Sequence, residues 1–140
     1  MKYYYSIFIL FTLLIACSSG KVTNIENSEF LSYVDPFIGT DGHGHTFPGA
    51  AVPFGMVQLS PDTHLEGWDW CSGYHYTDSS IIGFSHTHLS GTGRSDLMDV
   101  LLMPTVGAVN VVPGTRENPD TGYRSRFSHQ EESASPGYYK

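Results

Sequence analysis

Cysteine is scarce in this chain. Only Cys17 and Cys71 are present, so no framework of disulfides can carry the fold even where the compartment would permit one. Positive charge is short as well. Seven Lys and Arg stand against fourteen Asp and Glu, a formal charge of −7, and Arg94, Arg116, Arg124 and Arg126 are scattered rather than clustered. No run of positive charge could hold an anionic polymer, which excludes nucleic acid as a partner. An uncharged ligand stays compatible. No stretch shows a sustained helical period, and no repeat of fixed period is found, which disfavours a propeller or a solenoid.

Long apolar runs are also missing. Ser6 to Ala16 is apolar but too short to cross a bilayer as a stable helix, and Met1-Lys2 ahead of it makes a minimal positive n-region, so residues 1–16 read as a signal peptide. The run ends Leu14-Ile15-Ala16-Cys17, a lipobox-like pattern, followed by the polar Ser18-Ser19-Gly20. Cys17 is therefore expected to carry lipid and to anchor the protein in a bacterial cell envelope, facing the periplasm or the surface. The alternative is a cleaved soluble signal with a chance cysteine. With Cys17 lipidated, Cys71 is left as a buried free thiol. Residues 17–30 are polar and without period, as a tether would be, and a folded body is expected over 31–140.

Within that body, Gly and Pro punctuate short segments rich in Val, Ile, Leu, Phe and Tyr, the pattern of all-β architectures. Strands are predicted at Gly55–Ser60, Ile81–His86, Asp99–Met103, Gly107–Val112 and Tyr123–His129. A turn is expected at Pro113-Gly114 and a polar loop at Arg116–Thr121. Ser135–Lys140 reads as the start of another strand. Five or six short strands give one sheet and part of a second, so the class is an incomplete β-sandwich, with truncation as the expected reason.

What the chain has in excess is Tyr, Trp, His, Gly and Pro between Ser32 and Gly93. Indole and phenol rings offer flat apolar faces with one polar edge, and imidazoles add neutral hydrogen bonding. That mixture suits a ligand with apolar ring faces and many hydroxyls, most simply a sugar. Trp68, Trp70 and Tyr74 surround Cys71-Ser72-Gly73, and form either a stacking platform for a pyranose or an apolar plug between domains. If Gly67–Trp70 were extended, the two indoles would share a face and Asp69 would point opposite. His86 and His88 would likewise share a face of an extended strand; the spacing occurs in zinc sites, but no third ligand is fixed by it, and hydrogen bonding in a site or at a structural position are the competing readings. His43 and His45 sit among glycines in DGHGHTFPG, where a ligand can approach the backbone, or where Asp41 can make a tight turn by accepting from Gly42 and His43. Gly91-Thr92-Gly93 lacks the rest of a P-loop, so nucleotide binding is rejected. No Asp-rich loop has the spacing of an EF-hand.

The blocks DPFIGT (35–40), GHTFPGA (44–50), PFGMVQLSPDT (53–63), SGYHY (72–76) and GFSHTHLSGTG (83–93) resemble, in order, the N-terminal domain of glycoside hydrolase family 92. The likeness runs from about Ser32 to Pro104, and more weakly through ASPGYYK. The resemblance implies a galactose-mutarotase-like β-sandwich that is one part of a two-domain, calcium-dependent, inverting, exo-acting α-mannosidase. It also implies that the acid and base carboxylates, and most calcium ligands, come from a C-terminal helical domain. On that reading no catalytic residue and no bound metal are expected in residues 1–140. Partners would be an α-mannoside glycan, the helical domain and, through the lipid, a membrane. Trp68, Trp70, Cys71, Tyr74, His86 and His88 would wall the terminal-sugar subsite or the domain junction. The competing functions are a noncatalytic carbohydrate-binding lipoprotein and a nonfunctional gene remnant.

Overall fold

The computed structural model describes residues 29–52 and 55–140. The predicted leader and Cys17 lie outside the described residues, as does the tether apart from Glu29 and Phe30. Six short strands, β1 (Ser60–Asp62), β2 (Ser80–Ile81), β3 (Gly83–Ser85), β4 (Ser125–Arg126), β5 (Ala134–Ser135) and β6 (Tyr138–Tyr139), form three antiparallel two-stranded ladders, β1–β3, β2–β4 and β5–β6. Among the described residues helix occurs only as 3₁₀ turns, at Glu29–Tyr33, Trp68–Trp70 and Pro119–Thr121. The chain is all-β, as its pattern predicts.

Several strand positions differ from expectation. The predicted Gly55–Ser60 strand reaches regular pairing only at its end, where β1 begins and where Leu59 bridges Ala50. Ile81–His86 is split, because Ser80–Ile81 pairs with β4 while Gly83–Ser85 pairs with β1, and between them the Ile82 amide donates to the Asp62 carbonyl at 2.8 Å. Asp99–Met103 contributes a single bridge, Leu102 to Phe84. Tyr123–His129 shrinks to β4. Gly107–Val112 is not a strand at all. Its apolar residues Val109, Val111 and Val112 are exposed, and its backbone link to another segment is the Val112 carbonyl, which accepts from Tyr123 at 2.9 Å. A strand without a partner leaves its amides to solvent and forms no ladder.

Hydrogen bonds, more than apolar burial, organise the interior. Among the described residues the buried apolar side chains are Cys71, Tyr74 and Ile82 with the prolines Pro48, Pro61 and Pro119, against a larger set of buried polar ones. At the centre, Asp62 of β1 accepts the Ser85 amide at 2.9 Å through one carboxylate oxygen and meets His88 Nε2 at 2.9 Å through the other. His88 Nδ1 donates to the Gln58 carbonyl at 2.6 Å. Ser85 Oγ also lies 3.0 Å from Nε2, so both ring nitrogens of His88 have hydrogen-bond partners. Both side chains of this pair are fully buried. Gly73 closes over it with φ of 86°, and a Cβ there would stand 2.1 Å from Asp62 Oδ1. Only glycine fits that approach.

A second buried carboxylate ties the C-terminal hairpin to this core. Glu132 accepts the hydroxyls of Tyr74, at 2.9 and 3.0 Å, and of Tyr139 at 2.5 Å, and pairs with His129 Nδ1 at 2.7 Å. Burial first, and then the adjacent Glu132, push both phenols well above the ordinary tyrosine range.

Two outcomes follow from these networks. Asp62→Ala leaves the buried His88 ring and the Ser85 amide without their shared acceptor and should lower unfolding stability by about 3–5 kcal/mol in urea denaturation; a loss below about 1 kcal/mol would show that the pair does not organise the core. Because the folded-state pKa of Tyr74 and Tyr139 is raised above the unfolded value near 10, their contribution is fully present below pH 10 and is lost as pH rises beyond it. Stability should therefore fall steeply on the alkaline side. Tyr74→Phe should cost about 1.5–3 kcal/mol at neutral pH and flatten the alkaline decline, and an unchanged alkaline slope would refute the assignment.

Candidate functional site

The loop after the first 3₁₀ turn folds back on itself. Thr46 donates its amide to the Gly39 carbonyl and Gly44 to that of Asp41, each at 3.2 Å, while Asp41 Oδ1 accepts the Gly42 amide at 2.7 Å. The predicted Asp41 turn thus forms with Gly42 but not with His43. His45 adopts the left-handed conformation, φ 55°, and so turns its ring inward.

Across from this loop the chain makes the Trp68–Trp70 turn, in which Cys71 donates to the Trp68 carbonyl at 3.4 Å and Gly73 to that of Trp70 at 2.9 Å. The condition under which the two indoles would share a face, an extended Gly67–Trp70, is therefore not met: Trp68–Trp70 is a 3₁₀ turn and the indoles diverge. Asp69, expected to point away from a site, instead receives His43 Nδ1. That hydrogen bond holds its carboxyl below the usual carboxylate range, with the neighbouring imidazoles adding to the effect. His45 Nε2 lies 3.8 Å from the same Asp69 oxygen, too far for a hydrogen bond, and has no partner although its side chain is 6% exposed. An unsatisfied buried nitrogen costs about 1–3 kcal/mol.

The tryptophans have opposite surroundings. Trp70 is packed on several sides: Nε1–H donates to Asp78 at 2.7 Å, the Arg116 guanidinium sits 4.0 Å above its ring, and His64 and His75 lie at 5.5 and 5.3 Å. Arg116 also donates to Asp78 at 3.0 Å, closing the group. Burial, and then the positive Arg116, lower the pKa of His64. Trp68 is 60% exposed. It meets His45 edge to face at 4.9 Å and rests on Gly93, where a Cβ would come within 2.3 Å of Cζ3. Its ring borders an open cleft of about 490 Å³ between Leu65–Trp68 and Gly93–Asp96.

The other candidates lie elsewhere. Cys71 and Tyr74 are interior, with the Cys71 thiol free and buried. His86 and His88 do not share a face, because β3 ends at Ser85: His86 Nδ1 donates to the Val100 carbonyl at 2.7 Å, while His88 is committed to Asp62 and Gln58. Of the six, Trp68 alone joins high exposure to a cleft. Sequence reading missed Asp62 and Glu132 as organising acids. The i, i+3 spacing of His129 and Glu132 was a legible signal for one of them; Asp62 had none beyond its place in LSPDT.

Among the described residues, His43, His45 and Asp69 form a group whose ligand atoms lie within 4.8 Å of one another. Two imidazoles and one carboxylate do not fit calcium, which takes six to eight oxygen ligands.

Residues 33–140 match the profile of the Glycosyl hydrolase family 92 N-terminal domain. The fold is similar to that of a family GH92 α-mannosidase from Bacteroides thetaiotaomicron, solved also in complex with mannoimidazole, with TM-score 0.76 and 54% identity over 80% of this chain and 15% of that one. A family GH92 inverting mannosidase from Bacteroides thetaiotaomicron VPI-5482 aligns with TM-score 0.56 and 33% identity over 86% of this chain and 15% of its own. An uncharacterized secreted glycosidase from Arthroderma benhamiae is 32% identical over 129 residues, 86% of this chain. The chain spans about 15% of the length of these relatives.

The split between the indoles is testable by melting. Trp70→Ala should cost about 2–4 kcal/mol, since it empties a packed site and strips Asp78 and Arg116 of a partner. Trp68→Ala should change stability by less than about 1 kcal/mol. Equal losses for both would contradict the division.

Proposed function

Because the chain belongs to glycosyl hydrolase family 92 through its N-terminal domain, we propose that it contributes the N-terminal β-sandwich of an exo-acting α-mannosidase that cleaves glycans with inversion. The observation that carries this reading is the 54% identity, over 80% of the chain, to an α-mannosidase solved with mannoimidazole bound. Trp68 supports it locally, since a half-open indole beside a cleft can stack on the apolar face of a pyranose. On this reading Trp68 is a substrate-binding residue. Trp70, Cys71, Tyr74, His86 and His88 hold its surroundings in shape.

Inversion needs two carboxyl groups about 6.5–9.5 Å apart, one to protonate the leaving oxygen and one to activate water. Several acids in this chain already serve other partners: Asp62 holds His88, Asp78 holds Trp70 and Arg116, and Glu132 holds two tyrosines. The family resemblance assigns acid and base to a helical domain, and calcium is proposed to bind there and at the junction. Cys17 is proposed to carry lipid, placing the enzyme on the cell envelope.

Residues 1–140 alone should leave an aryl α-mannoside intact with calcium supplied, whereas an enzyme joining this domain to the helical domain of a close relative should hydrolyse it. In that enzyme Trp68→Ala should lower kcat/KM by about ten- to a thousandfold, corresponding to about 1.4–4 kcal/mol of lost stacking and misplacement. Turnover by residues 1–140, or full efficiency in the variant, would sink the respective half of the reading. Mass spectrometry of the membrane fraction tests the anchor: the mature chain should begin at an acylated Cys17, and an unmodified cysteine would overturn that part.

A further inference from the structure

We propose that His43, His45 and Asp69 form a binding site for one divalent transition-metal ion of the zinc class, clamping the Gly39–Thr46 loop to the turn that carries Trp68. The ligand atoms are His43 Nδ1, His45 Nε2 and an Asp69 carboxylate oxygen, all within 4.8 Å of one another. In a tetrahedral zinc site with bonds of about 2.0–2.1 Å, ligand atoms stand roughly 3.3 Å apart, so small side-chain rotations close the set around an ion. Two imidazoles and a carboxylate with an open fourth position for water make up a recognised zinc donor set.

The observation that points to a ligand is His45. Its side chain is 6% exposed, its Nε2 has no hydrogen-bond partner, and that nitrogen faces Asp69 Oδ1 at 3.8 Å. The distance is too long for a direct hydrogen bond, and a shared ion would give this nitrogen a partner. His43, with 77% of its side chain exposed, leaves the site open to solvent on one side. The ring of His45 packs edge to face on Trp68 at 4.9 Å, so an ion fixing His45 would also fix the indole beside the cleft. Calcium is a poor competitor here, because nitrogen ligands do not suit it.

The test uses untagged chain, stripped with chelator and titrated with zinc alone by calorimetry, with cobalt absorption as a report on geometry. One zinc per chain is expected, with an intense tetrahedral cobalt spectrum and no displacement by excess calcium. His43→Ala removes an exposed ligand without disturbing the interior, and Asp69→Asn removes the anionic one; each should weaken zinc binding by at least about tenfold. His45→Ala should do the same, with circular dichroism checking that the fold persists. No stoichiometric zinc, displacement by calcium, or undiminished affinity in the exposed His43→Ala variant would overturn the proposal.

Discussion

The buried contact between Asp62 and His88 constrains everything around it. One carboxylate joins three segments at once: its own strand β1, the FSHTH run through the Ser85 amide and the His88 imidazole, and the Gly73 backbone pressed against it. With so little apolar area buried among the described residues, hydrophobic burial alone cannot fix the relative positions of these segments. The hydrogen-bonded pair can, because a buried polar group without its partner is far more costly than a misplaced methyl group. Next to it Thr63 repeats the device without charge. Its Oγ1 accepts the His75 amide at 3.0 Å, its own amide donates to Gly73 at 2.6 Å, and its carbonyl receives Arg124 at 2.7 Å.

From that centre the placement of the candidate site follows. Fixing Gly73 and His75 fixes the end of the Trp68–Trp70 turn, and Trp70 is then locked between Arg116, Asp78 and two histidines. Trp68, two residues before this locked side chain, stays exposed on a turn whose other end is held. Asp69, between them, is aimed at the histidine loop by the same turn.

How much of this was legible in the sequence depends on the range of the interactions. The all-β class was readable from Gly and Pro punctuation, because turn chemistry is local. The family blocks were readable as ordered motifs. The partners of individual residues were not. His86 and His88 look equivalent at i and i+2, yet β3 stops at Ser85, before either of them, and their rings part: His86 turns to the Val100 carbonyl and His88 to Asp62, which is 26 residues away. The same holds for Trp68 and Trp70, whose divergence depends on a 3₁₀ turn that the alternating pattern did not announce. Asp62 was overlooked as an organiser because a carboxylate gives no local sign of being buried, and Glu132 because its i, i+3 spacing to His129 announces a pair but not the two tyrosines it gathers.

The valine-rich stretch near Gly107–Val112 shows the opposite case, in which the pattern was read and the ladder did not form. Its side chains are apolar enough for a strand, but apolar character supplies only half of what a strand needs. The other half is a neighbour for its amides and a surface for its face, and neither is provided by the described residues. A β-sandwich buries such a stretch only when a second layer covers it. The contrast with β1 and β3 is instructive: those strands are three residues each, and they hold because Asp62 binds across the ladder through its side chain as well as its backbone. In this domain side-chain hydrogen bonds to buried charge decide which extended segments become strands, and those same bonds set the turn that presents Trp68 to the cleft.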